Sequence, residues 1–97
     1  MYTVDNTINA TTFGALNVTK LSKTEAYEIL LISLEKHHDF PEHTSPRDAT
    51  LVVLDGAIVF NILEKSYHLK AEQSFQFQAE IAHSVHALEN SKFLIIR

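Results

Sequence analysis

Ninety-seven residues, 45% of them hydrophobic, with a formal net charge of −4, fit one globular domain that buries a modest core. The chain has no cysteine, which excludes disulfides, iron–sulfur clusters and thiolate zinc sites. Its eight Lys and Arg residues are scattered, no apolar run approaches the ~18 residues of a bilayer span, and no basic-then-apolar leader follows Met1. Nucleic-acid binding, membrane insertion and a signal peptide are therefore not expected, and a cytoplasmic protein is.

Residues 1–14 are polar, rich in Thr and Asn, and read as a lead-in, either a loose arm or an edge strand. From Leu16 the chain breaks into short apolar runs: Leu16–Leu21, Tyr27–Leu34, Thr50–Leu54, Ala57–Leu63, Tyr67–Leu69, Ser74–Gln78, Ser84–Leu88 and Phe93–Ile96. Runs of this length, rich in Val, Ile, Leu and Phe, predict an all-β sandwich or barrel. Asp55-Gly56 and Glu64-Lys65-Ser66 mark turns between them.

Residues 23–36 carry two competing signals. Ser22-Lys23-Thr24-Glu25 has the form of a capping box, and Tyr27, Leu30, Leu31 and Leu34 follow at helical spacing. Against this, Ile29-Leu30-Leu31-Ile32 is apolar on both faces, as in a buried strand.

Two stretches carry chemistry. The first is Phe40-Pro41-Glu42-His43-Thr44-Ser45-Pro46-Arg47-Asp48-Ala49, followed by Leu51-Val52-Val53-Leu54-Asp55-Gly56. The second runs from Leu69 through Glu72-Gln73, Gln78-Ala79-Glu80 and His83-Ser84-Val85-His86 to Glu89. Together they resemble the two motifs of a small single-domain cupin, over roughly residues 28–97. The resemblance implies a double-stranded β-helix, or jelly-roll barrel, with residues 28–97 as the motif-bearing part of a single domain, 1–97. It settles residues 23–36 toward strand.

A cupin of the usual kind holds a divalent metal with three histidines and a glutamate. Counting back from Gly56, the resemblance places these on His43, Ser45 and Ala49, with His83 supplying the last histidine. Ala49 cannot coordinate a metal and Ser45 is a poor ligand, so His43 and His83 are the remaining metal candidates. A weakly held Zn, Fe, Ni or Mn would need a further donor, for which Gln78, Glu80, Glu42 and His38 are near in sequence. The resemblance further implies a ligand pocket at His43, Ser45, Ala49, Gln78 and His83. The second motif also lacks the family's glycines: Glu72-Gln73 replaces its Gly-Asp turn, and Gln78 and Glu80 replace its Pro-x-Gly turn.

The other histidines read as surface or loop residues. His37 and His38 are adjacent, so strand geometry would point them to opposite sides, and His86 would face away from His83. With two glycines and no cysteine, the chain offers no phosphate loop, and it has no nucleophile elbow.

If Ala49 points inward, so do Leu51 and Val53, which leaves Val52 and Leu54 on an apolar outer face. Phe93-Leu94-Ile95-Ile96 is likewise apolar on both sides. A second copy of the chain is the expected cover, giving a homodimer. The functional expectation is a binding module with a degenerate metal site and a small polar organic ligand; the alternative is a metal-dependent dioxygenase or isomerase on a two-histidine site.

Overall fold

A computed structural model describes all 97 residues, Met1–Arg97. One short helix, α1 (Thr7–Ala10), precedes nine strands: β1 (Leu16–Lys23), β2 (Glu28–Leu34), β3 (Asp39–His43), β4 (Ala49–Asp55), β5 (Ala57–Ile62), β6 (Lys65–Lys70), β7 (Ser74–Phe77), β8 (His83–Ala87) and β9 (Ser91–Ile96). They form a five-stranded sheet, β1-β2-β9-β4-β7, facing a four-stranded sheet, β3-β8-β5-β6, and every pairing is antiparallel. This is a flattened barrel with the core between its two sheets. The single one-turn helix is far too short to cross a membrane.

Alternation builds the core. In β4 the residues Ala49, Leu51 and Val53 are buried while Thr50, Val52 and Leu54 are half-exposed, and β9 repeats the pattern with Phe93 and Ile95 inward. Phe60 on β5 and Phe93 on β9, both fully buried, are the bulkiest core side chains. Burying a side chain of that size contributes about 1.5–3 kcal/mol.

Residues 23–36 hold the turn and the second strand of the β1–β2 hairpin. Thr24 acts as a cap, but of a turn: its hydroxyl accepts the backbone N–H groups of Ala26 and Tyr27, and its own N–H donates to the Tyr27 carbonyl. The same side-chain-to-backbone bonding that starts helices here closes β1 onto β2. The strand form prevails because β2 is covered on both faces. Ile32 and Leu34 join the inner core, while Leu31 and Ser33 on the other face are also fully buried.

The lead-in is an arm with a helical turn, not an edge strand. Asp5 accepts the backbone N–H and hydroxyl of Thr7 at 3.1 and 2.6 Å. The arm lies along the outer face of the five-stranded sheet, where the Lys92 ammonium donates to the Ile8 carbonyl and the Ser33 hydroxyl to that of Thr12.

Between β4 and β5 the chain crosses from one sheet to the other at Gly56, with φ +87°. A Cβ at this corner would run into the Ser91 hydroxyl and the Asn90 carbonyl, so glycine is required for space as well as for conformation. The next turn sits one residue earlier than its sequence suggests. Leu63 and Glu64, at φ 50° and 62°, form a two-residue hairpin loop, and Lys65 and Ser66 already belong to β6.

Candidate functional site

The site begins with an irregularity in β3. Phe40 pairs with Val85 and His43 pairs with His83, so three steps on β3 match two on β8. The extra residue is a bulge at Pro41-Glu42, where Pro41 has no N–H to contribute to the ladder. Strict alternation from the inward Phe40 would turn residue 43 outward; the bulge reverses it. The His43 ring consequently stacks on Phe40, with centroids 4.0 Å apart, and meets His83 edge-on at 4.3 Å.

His83 is buried, 3% exposed, and enclosed by aromatic rings: Phe77 at 4.6 Å and Phe60 at 5.4 Å. Burial holds its pKa below the usual histidine value. The bond to Ile81 pulls the other way, and the nearby His43 adds to the depression. Near neutral pH, His83 is a neutral imidazole.

The hydrogen bonds assign the tautomers. His43 Nδ1 lies 2.6 Å from the Pro41 carbonyl oxygen, and His83 Nδ1 lies 2.9 Å from that of Ile81. A carbonyl only accepts, so in each neutral ring Nδ1 carries the proton and Nε2 keeps its lone pair. Neither Nε2 has a protein partner. As no buried polar side-chain atom in the molecule lacks a partner, the His83 Nε2 must reach open space.

That space is a cavity of about 270 Å³ between the two sheets. His43, His83 and Ser45 supply polar wall, Phe40, Phe77 and Ile95 are among its apolar wall, and Arg97 stands at its rim. Ser45 is buried, with its hydroxyl donated to the Arg47 carbonyl at 2.7 Å. Arg97 belongs to a charge chain: its Nε donates to Glu28 at 3.0 Å, and the other Glu28 oxygen lies 3.2 Å from the Lys20 ammonium. Arg97 first, then Lys20, keeps the Glu28 carboxyl below the ordinary carboxylate range.

Of the residues singled out in the sequence, the structure brings His43, Ser45 and His83 to one cavity. Ala49 and Gln78 line a different, shallow recess with Asp48 and Gln76. Ala49 otherwise packs in the core against Phe77, its partner across the β4–β7 ladder. Glu42, Glu80 and His38 are exposed, and His38 approaches Glu35 at 3.6 Å. His86 faces outward and pairs with Asp39 at 2.7 Å. Arg97 and Phe40 were not singled out. Arg97 was legible in principle, because Phe93, Ile95 and residue 97 share one face of an alternating strand.

The donor set does not make a resident metal site. Two imidazole Nε2 atoms face the cavity, and nowhere in the molecule do three His, Asp, Glu or Cys side chains gather as a metal would need.

The two-sheet antiparallel barrel, with paired histidines between its sheets, defines a class, and the comparisons agree. The family model described as "Cupin domain" matches residues 30–96, and the chain belongs to that family. Among solved structures, an RmlC-like cupin from Desulfovibrio desulfuricans superposes with a TM-score of 0.87 at 17% identity, covering 99% of this chain and 95% of its own. A conserved protein of unknown function from Streptococcus pyogenes gives 0.82 at 24% identity, over 98% and 84%. KdgF from a Halomonas species gives 0.78 at 17%, over 84% and 76%. At these identities the likeness establishes the fold. No curated protein is significantly similar in sequence.

Proposed function

We propose that the chain is a cupin binding module that holds a small polar organic molecule in the cavity between its sheets, without robust catalysis. The observation that carries this reading is the pair of Nε2 lone pairs, fixed by the Pro41 and Ile81 carbonyls beside an aromatic wall. Two such acceptors suit a ligand that presents a hydroxyl or N–H group, while Phe40 and Phe77 suit its apolar body. At about 270 Å³ the cavity lies just below the range typical of drug-sized ligands, about 300–1,000 Å³, which favours a small one.

A metal-dependent reading draws on the same bonds, because a backbone carbonyl at Nδ1 also orients metal-ligating imidazoles. It needs the substrate to complete the coordination sphere. The binding reading requires only groups that the chain supplies.

A fragment screen by two-dimensional NMR tests it. Hydroxyl-bearing fragments are expected to shift the imidazole signals of His43 and His83, and a His83→Phe variant, which keeps the ring packing, is expected to lose them. Hits that leave both imidazoles unmoved would contradict the reading.

As an assembly, a cytoplasmic homodimer through the five-stranded sheet is the reading we favour. The half-exposed apolar row Ile29, Ile96 and the adjacent Leu94, Val52 supports it. A mass in solution equal to one 11.0 kDa chain would count against it.

A further inference from the structure

The rim of the cavity is electrically unlike the rest of the protein. The chain is acidic, at −4, yet half of its eight basic residues meet at one edge of the barrel. Lys20 and Arg97 share Glu28, and Lys23, Arg47 and Arg97 line a recess directly beside the histidine cavity. Arg97 stands on the wall of both spaces.

The pairing within this group is incomplete. Glu28 is one carboxylate between two side-chain cations. Lys23 and Arg47 make no ion pair at all; the Arg47 guanidinium donates only to the Ala26 carbonyl, at 3.2 Å. Among nearby carboxylates, Asp48 is engaged with the Ala79 N–H, and Glu25 and Glu80 are exposed and pair with none of these cations. Arg97 itself is held through Nε alone. Its two terminal nitrogens have no protein partner, although its side chain is only 23% exposed.

A guanidinium gripped by one edge with its terminal nitrogens free is suited to receiving a carboxylate. The two histidines cannot do this while neutral, because each offers a lone pair and a carboxylate offers only lone pairs. The two ends of the cavity therefore ask for different groups: a donor at His43 and His83, an anion at Arg97. From this juxtaposition we propose that the ligand is a small hydroxylated organic acid, its hydroxyl on the imidazoles and its carboxylate on Arg97. Glu28 and Lys20 act as positioning residues that hold Arg97 at the rim. This rests on the binding reading above and adds the charge and polarity of the ligand.

The test pairs each acid with its neutral amide: mandelate, salicylate and para-hydroxybenzoate, which separate hydroxyl from carboxylate by different spans. Binding is measured by calorimetry at low ionic strength to the wild type, Arg97→Gln and Arg97→Lys, with thermal melts confirming that each variant folds. At least one acid is expected to bind about tenfold or more tightly than its amide. Arg97→Gln should abolish that preference, Arg97→Lys should restore part of it, and added salt should weaken the acid more than the amide. Three results would overturn the proposal: acids and amides binding alike, a preference that survives Arg97→Gln, or no binding by any acid. If acids and amides bind alike but both are lost in His83→Phe, the anion assignment fails and the binding reading stands. If neither responds to His83→Phe, both fail.

Discussion

The two motif stretches depart from the usual cupin pattern in opposite ways. The first, from His43 to Gly56, keeps the glycine at its corner and one histidine but lacks two side chains for a metal, with Ser45 and Ala49 where donors are expected. The second, from Leu69 to Glu89, keeps its histidine and lacks its glycines. Its turns are nevertheless made in left-handed backbone, with φ 73° at Glu72 and 66° at Glu80. In the first stretch the frame is intact and the chemistry is altered. In the second the chemistry persists on a strained frame. Frame and chemistry are thus separable: the Glu80 turn, whose N–H donates to the Ser45 carbonyl at 2.8 Å, still delivers His83 to the cavity without the residue that would adopt it most readily.

The strongest way to break this comparison is at Gly56. Gly56→Ala combines a left-handed conformation, costing ~1–2 kcal/mol for a non-glycine residue, with a clash against Asn90 and Ser91. We expect a loss of about 3 kcal/mol or more in urea unfolding. A loss below about 1 kcal/mol would show that the corner is not sterically fixed.

Glycine at the other turns should act in the opposite direction. Glu80→Gly and Glu72→Gly relieve the left-handed strain and add unfolded-chain entropy, for a net gain of about 0.5–1 kcal/mol each. Destabilisation by either variant would mean that the glutamate side chain supports its turn through a contact that outweighs the strain.

The smallest effect concerns pH. The pKa of His83 is depressed in the fold, so below its ordinary value of 6.5 the unfolded chain binds its proton more readily than the folded one. Stability from the buried neutral ring is complete above that pH and declines as pH falls toward the folded-state value. His83→Phe is expected to flatten the decline between pH ~7 and ~5, measured as the unfolding midpoint at each pH. An unchanged slope would place the titration elsewhere.

Much of the fold was legible because strands buried on one or both faces leave apolar runs of characteristic length. Eight of the nine strands coincide with such runs. The exception is β3, Asp-Phe-Pro-Glu-His, whose mostly polar composition hides a strand that lies at a sheet edge and pairs only with β8. The capping box at Ser22–Glu25 was ambiguous because Thr24 makes the same backbone bonds in a turn as at a helix start. Within the site, the motif count reached His43, Ser45 and His83. It could not reach Phe40, whose ring is brought onto His43 by the bulge at Pro41, because a bulge is invisible to strict alternation. Nor could spacing reveal the cationic rim. Lys20, Arg47 and Arg97 are far apart in sequence and meet only when β1, the β3–β4 connection and β9 close around the cavity mouth.

The central claim is that His43 and His83 serve as hydrogen-bond acceptors for an organic ligand and not as the anchor of a resident metal. Calorimetric titration of the metal-free protein with zinc tests it most directly. The account predicts no binding tighter than micromolar, since two imidazoles are the whole donor set. One-to-one binding with sub-micromolar affinity, abolished by His43→Ala or His83→Ala, would contradict it.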